Sequence, residues 1–270
     1  MSDDLHPSKE FLTFAHRLAD AARAQTLPRF RAGAAVSSKA GVLFDPVTDA
    51  DREAERVQRR LINAHYPAHG IVGEEFGRER ETAEWRWVLD PVDGTRAFIC
   101  GIASWATLIA LEREARPVIG VIDQPFTDER WTGTPDGAFY VRGGAERACK
   151  TSGLEDLTRA RISTTDPRRA GYFTGEEVDA FERVAALSQL ARFSLDAYAY
   201  GLLAIGELDL VMETSLKHHD YAALIPVIDG AGGVVTDWRG EPLGEDPSGR
   251  IIAAASPALH AAALERIAAD

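Results

Sequence analysis

Six consecutive residues carry the most chemistry in this chain: Asp90, Pro91, Val92, Asp93, Gly94 and Thr95. An apolar run, residues 85–89, leads into them and reads as a strand. Pro91 holds Asp90 extended, because the residue before a proline is pushed out of the helical region. The chain turns at Gly94, and residues 95–99 read as the first turn of a helix. The free N–H groups of that turn face back toward the two aspartates. Carboxylates are hard oxygen ligands and a helix start favours anions, so divalent cations and a phosphate can meet here.

Three more stretches place acids where an element ends: DPVTDAD (residues 45–51), VGEEFG (72–77) and HHDYAALIPVIDGAGG (218–233). Each has an ordinary explanation. Asp51 and Asp220 can cap the helices that follow. Glu74 and Glu75 can be solvated loop charges, and Asp90 and Asp93 can shape a turn. Gathered in space, these carboxylates would repel one another unless cations neutralised them. Spacing alone does not show that they gather.

The elements that must position them follow from periodicity. Residues 8–30 form an amphipathic helix, with Ser8 as its cap and Pro28 near its end. Residues 37–51 have mixed turn and extended character. A second helix, residues 51–66, has Ala54, Val57, Leu61 and Ile62 on one face, and a short strand at 70–72 stops before Glu74. After the central stretch come strands at 106–112, 118–123, 130–132 and 138–141, with the Gly and Pro punctuation of an antiparallel sheet. The polar segment 147–157 marks a boundary between an N-terminal α+β subdomain (1–147) and a C-terminal α/β subdomain (148–270). Beyond it, strands at 161–164, 191–194, 208–212, 233–236 and 251–254 alternate with helices at 176–190, 197–205, 220–231 and 257–267. Such alternation predicts a layered α/β half.

With 270 residues, 45% of them hydrophobic, the chain can bury a large core. A net charge of −12 excludes wrapping nucleic acid, whose phosphates need a basic face. Its two cysteines, Cys100 and Cys149, are too few for a disulfide framework and read as reduced thiols, Cys100 as a buried one. The polar, acidic start lacks a secretory pattern, and no apolar run is long enough to span a bilayer. The expectation is a cytoplasmic protein without membrane or nucleic-acid partners.

GEE, then DPVDGT, then an Asp-x-Ala-Ala helix ending in GAGG, in this order, resembles the inositol monophosphatase superfamily. The likeness runs from the first helix to the last strand. Within it, DPVDGTRAFICG and DYAALIPVIDGAGGVVTDWRG are most similar to histidinol-phosphate phosphatases. Inositol phosphatases usually carry Thr or Asn in place of Arg96 and Trp in place of His219. The resemblance implies an α-β-α-β-α layered sandwich and a homodimer. It implies two to three magnesium ions. Glu74, Asp90 and the Val92 carbonyl would hold one, and Asp90, Asp93 and Asp220 a second. It implies hydrolysis of a phosphate monoester by direct attack of a cation-activated water. Glu74 and Thr95 would position that water, with Asp51 accepting through the Thr95 hydroxyl, and Gly94 and Thr95 would cradle the phosphate.

Substrate contacts implied in the same way are Asp93, Gly94, Thr95, Arg96, Arg192, Asp196, Glu213 and Asp220. The chain departs from the histidinol-phosphatase pattern at ARFSLDAYAYG, where Ser194 and Leu195 replace a glycine pair and Ala197 replaces Cys. A cationic amino-alcohol such as histidinol phosphate would favour Asp196 or Glu213 near its ammonium. His218 and His219, beside hard carboxylates, are expected to support the site from behind or sit at the surface. The alternatives are an inositol-1-phosphatase, a broad sugar-phosphate or nucleotide phosphatase, and an inactive scaffold.

Overall fold

The computed structural model describes residues 7–33, 36–39, 45–169, 171–244 and 249–269. Residues 40–44 of the stretch expected to mix turn and extended chain, and residues 1–6 of the polar start, lie outside it. The flanking segments β1 (Val36–Lys39) and β2 (Asp45–Thr48) pair antiparallel.

Besides this two-stranded ribbon, two large sheets and three helical layers make up the described fold. The first sheet has eight strands: β3 (Gly70–Gly73), β4 (Gly77–Glu79), β5 (Trp85–Asp93), β6 (Ala106–Arg113), β7 (Arg116–Gln124), β8 (Glu129–Thr134), β9 (Gly137–Arg142) and β10 (Ala145–Ala148). Its order is β10-β9-β8-β7-β6-β5-β3-β4, antiparallel except for the β3–β5 pair. The helices α1 (Lys9–Thr26) and α2 (Asp49–His65) cover one face. Phe14, Leu18 and Ile62 from these helices pack on Trp87, Ile109, Leu111 and Ile119 of the sheet.

The middle layer is α5 (Tyr198–Ala204) and α7 (Leu224–Gly230), against the other face of that sheet. Beyond them lies the second sheet, in the order β12 (Leu190–Phe193), β11 (Arg161–Thr164), β13 (Leu210–Glu213), β15 (Ile251–Ala254), β14 (Val234–Thr236). Period-two alternation splits its strands between two cores. Val211, Ile251 and Ala253 join the middle layer, while Leu210, Met212, Ile252 and Ala254 face α4 (Gly175–Ala185) and α8 (Pro257–Ile267). The result is the expected α-β-α-β-α sandwich.

Several expected boundaries moved, for identifiable reasons. The helix expected at 51–66 starts at Asp49, because Thr48 rather than Asp51 is its cap. Asp51 is instead the third residue of the helix, and its carboxylate returns to the Thr48 backbone N–H in a capping box. The helix expected at 220–231 is two helices, α6 (His218–Tyr221) and α7. Pro226 has no N–H for the Ala222 carbonyl, so it is accommodated in the first turn of a new helix. The helix expected at 176–190 stops at Ala185. Cys100, expected to be buried, is exposed, since Ala97 and Phe98 fill the inward face of α3 (Thr95–Ile99). Phe98 packs with Phe30 and Trp105 in a small aromatic core.

The approach of α7 to the first sheet depends on two glycines. Gly120 and Gly133 are direct cross-strand partners on β7 and β8. A Cβ on Gly120 would collide with the Ala223 carbonyl, and one on Gly133 with the Pro226 backbone. Backbone cannot rotate aside as a side chain can. Gly133→Ala is therefore expected to destabilise the protein by about 1–3 kcal/mol or more, the scale of an overpacked core. Urea unfolding checks this, and an unchanged midpoint would show that α7 has room to lift.

Candidate active site

The parallel pairing of β3 and β5 brings the first two acids together. Gly73 is opposite Leu89, so the next residues along, Glu74 and Asp90, lie side by side. The Glu74 N–H donates to the Leu89 carbonyl at 3.2 Å, and the two carboxyl groups share a hydrogen bond. β5 does not stop at Leu89 as expected but continues to Asp93, with a break in register against β6 between Asp90 and Asp93. Bulges of this kind re-aim side chains. The bulge is tied down by three bonds: Val92 N–H to Asp90 Oδ1 at 3.0 Å, Thr107 hydroxyl to the Pro91 carbonyl at 2.7 Å, and Thr95 hydroxyl to the Val92 carbonyl at 3.1 Å.

The other acids arrive from distant parts of the chain. Asp93 Oδ2 accepts the Ala197 N–H at 2.6 Å, which joins β5 to the start of α5. Asp220 Oδ2 accepts the Lys217 N–H at 2.6 Å. α6 is held in place from behind. His218 Nε2 lies 2.6 Å from Glu112 Oε1, and Arg86 donates to the same buried carboxylate at 2.7 Å. His219 Nε2 is 3.3 Å from Asp220 Oδ1. Carboxylate oxygens of Asp90, Asp93 and Asp220 all fall within 4.8 Å of one another. Asp51 Oδ1 is 3.4 Å from the Thr95 hydroxyl.

Three like charges this close are costly outside bulk water. Burial first, then the charges of Glu74, Asp93 and Asp220, push the Asp90 carboxyl well above its ordinary range. Burial and the neighbouring Asp196 and Asp220 do the same to Asp93. Asp220 is also raised, mainly by burial. Asp51 rises to about 6 through burial, against its hydrogen bonds from Thr48. An all-oxygen set of converging, mutually repelling carboxylates fits a hard divalent cation and not a soft thiolate metal.

Except for Asp51, which is buried behind Thr95, these acids line a cleft of about 250 Å³ between the two large sheets. Glu74, Asp90, Val92, Asp93, Gly94, Thr95 and Asp220 line it, and so do Arg96, Asp196 and Glu213. Gly94 has φ +79°, and a Cβ there would meet the Asp196 carboxylate at 2.9 Å. Arg96 stacks over the Tyr172 ring at 4.7 Å. Glu213 accepts from the Thr165 hydroxyl at 2.8 Å and from Thr164 at 3.2 Å. Burial raises Glu213 to about 8 and Asp196 to about 6.

One expected contact is not brought here. Arg192 is exposed on β12, the edge strand of the second sheet, and does not line the cleft. The two residues that replace the glycine pair lie between this strand and Asp196. Ser194 keeps a left-handed backbone at φ 62°, the conformation a glycine would adopt freely.

Sequence reasoning missed other residues. Buried Glu55 accepts the N–H groups of Glu75 at 2.7 Å and Phe76 at 3.2 Å, fixing the loop that carries Glu74. It lies four residues after Asp51 on the same face of α2, and that spacing was the available signal. Thr165, Tyr172, Tyr200, Ser215 and Lys217 also line the cleft.

The profile of the inositol monophosphatase family matches residues 8–269. The chain belongs to that family. It is a phosphatase of this family with relatives of more than one specificity. It is 39% identical over 233 residues to a chloroplast bifunctional phosphatase of Arabidopsis thaliana, a match covering 83% of this chain and 66% of that protein. It is 35% identical over 241 residues to a histidinol-phosphatase of Streptomyces coelicolor, covering 86% of this chain and 88% of the relative. The solved structure of an inositol monophosphatase from Zymomonas mobilis superposes with a TM-score of 0.85 at 40% identity, covering 97% of this phosphatase and 99% of the other chain. No helix among the described residues is long and apolar enough to cross a membrane.

Proposed function

We propose that this chain is a magnesium-dependent phosphomonoesterase whose substrate is histidinol phosphate, releasing histidinol and orthophosphate for histidine biosynthesis. The observation that carries the phosphatase chemistry is the convergence of Asp90, Asp93 and Asp220, with Glu74 beside Asp90, in a single cleft. In this reading Glu74, Asp90, the Val92 carbonyl, Asp93 and Asp220 hold two to three magnesium ions. Bound magnesium supplies Lewis-acid chemistry, acidifying a water and neutralising the phosphate. The Thr95 hydroxyl and Glu74 orient the attacking water. Asp51, raised to about 6, accepts a proton through Thr95. Gly94 and Thr95 offer backbone N–H groups to the phosphate, and Arg96 adds charge beside them.

The preference for an amino-alcohol rests on Asp196 and Glu213, two acids in the cleft outside the cation cluster. An ammonium suits them better than a neutral polyol: Asp196, at about 6, is mostly ionised at neutral pH, and a cation beside Glu213 favours loss of the proton that burial makes it keep up to about 8. The Streptomyces relative supports the same substrate. The Zymomonas structure favours a second reading, an inositol-1-phosphatase, since a carboxylate also accepts from sugar hydroxyls. Retention of every motif acid and of Thr95 argues against an inactive scaffold. The proposal further places the protein in the cytoplasm as a homodimer, with subdomains 1–147 and 148–270 meeting at the cleft.

Phosphate release from histidinol phosphate, inositol 1-phosphate and an adenosine bisphosphate, with and without magnesium, tests this. Turnover of histidinol phosphate is expected to exceed the others at least about tenfold in kcat/KM, the worth of one well-placed charged hydrogen bond. Equal, low efficiency on all three would overturn the substrate assignment. Undiminished release in chelator would overturn the metal assignment.

A further inference from the structure

Tyr200 lies on α5 and is 2% exposed, with its ring in the core between the two sheets. It also lines the cleft. Among the described residues its hydroxyl has no hydrogen-bond partner. The neighbouring tyrosine of the same helix differs: the Tyr198 hydroxyl donates to Glu129 at 2.7 Å. Buried hydroxyls are almost always paired, because leaving one unpaired is costly. An unpaired buried phenol on a residue that lines a ligand cleft is explained when the ligand brings the partner.

The helix that carries the ring is closely packed. A Cβ at the next residue, Gly201, would come within 2.9 Å of the Trp131 ring, so α5 lies directly on that side chain. The N-terminal end of the helix is fixed by the Ala197 bond to Asp93. The carboxylates whose charge reaches the Tyr200 phenol are Glu213, then Asp93, then Asp220. Tyr200, Glu213, Asp93 and Asp220 all line this one cleft. Glu213, which accepts from the Thr164 and Thr165 hydroxyls, offers the substrate an acid; Tyr200 offers a neutral hydroxyl that can both donate and accept.

We propose that Tyr200 is a specificity-determining residue whose hydroxyl bonds a polar group, an amine or a hydroxyl, on the alcohol part of the substrate. This selects esters of polar alcohols over plain alkyl or aryl phosphates. The proposal rests on the phosphomonoesterase reading above and extends it to a residue outside the motif acids.

Tyr200→Phe keeps the ring and removes only the oxygen. The readout is discrimination: kcat/KM for the preferred polar ester, histidinol phosphate or inositol 1-phosphate, divided by kcat/KM for phenyl phosphate. It is expected to fall about tenfold. Affinity for the free product alcohol, by calorimetry, is expected to fall by a similar factor. Tyr198→Phe, which loses a bond to Glu129 instead, should leave the ratio where it was. An unchanged ratio in Tyr200→Phe, or an equal loss on both kinds of ester, overturns the proposal. So does a lowered melting temperature, since it would show that the hydroxyl already had an internal partner. If the wild-type protein releases phosphate from none of these esters, the phosphomonoesterase reading fails instead.

Discussion

Asp93→Asn is expected to cut phosphate release by about 10²–10³-fold at limiting magnesium while leaving the protein folded. The scale is that of removing one preorganised electrostatic contact from a reacting centre. Asparagine has nearly the same shape, and its oxygen can still accept the Ala197 N–H that Asp93 now accepts at 2.6 Å. The tie between β5 and α5 therefore survives. The other end of the side chain changes sign of effect. With its oxygen on the Ala197 N–H, an NH₂ group takes the place of Oδ1, in a side chain that has an oxygen within 4.8 Å of oxygens of Asp90 and Asp220. It offers a cation no ligand and a partial positive charge. Without cations the same change removes one of three repelling acids, so the melting temperature in chelator should stay level or rise. A steady-state assay across magnesium concentrations, with a thermal melt in chelator, checks both halves. Wild-type turnover at limiting magnesium would remove Asp93 from the proposed cation set.

How far the sequence shows this site depends on whether the cause is local. Pro91 and Gly94 act on their own neighbours, so the strand, turn and helix around DPVDGT could be read from residue types. The alternation after residue 160 gave the layers for the same reason. The break between α6 and α7 was missed because Ala222, Ala223, Leu224 and Val227 keep helical periodicity straight through it. Only the missing N–H of Pro226 marks the new start. Arg192 was misplaced because its direction depends on which side of an edge strand faces solvent, a property of the sheet and not of the residue. Glu55 looks like one of many helix acids until the 74–76 loop lands on it. Tyr198 and Tyr200 are the same residue type two positions apart. Their difference, one hydroxyl bound to Glu129 and one unpaired, exists only after the second half of the chain packs on the first.

The cation-free protein is expected to be more stable near pH 5 than near pH 8, and magnesium is expected to reverse that order. The carboxyls of Asp90 and Asp93 are held well above the ordinary range by burial and by one another, Asp51 and Asp196 reach about 6, and Glu213 about 8. For an acid whose folded pKa is raised, the folded state holds its proton across the window from about 4, where the unfolded chain titrates, up to the folded value. In that window the native state binds more protons than the unfolded state, so stability falls as pH rises. This is the opposite of the usual surface aspartate paired with a cation, whose stability is lost toward acid. Several groups titrating this way make the expected loss on the order of several kcal/mol between pH 5 and pH 8. Ligand carboxylates must be deprotonated to bind a cation, so magnesium binds better at high pH and stabilises most where the free protein is weakest. Melting curves in chelator and in magnesium, taken at half-unit steps from pH 5 to pH 8.5, separate the two slopes. If the chelated protein instead gained stability through this range and magnesium left every curve in place, the buried acids would not be the repelling, cation-seeking cluster that their geometry describes.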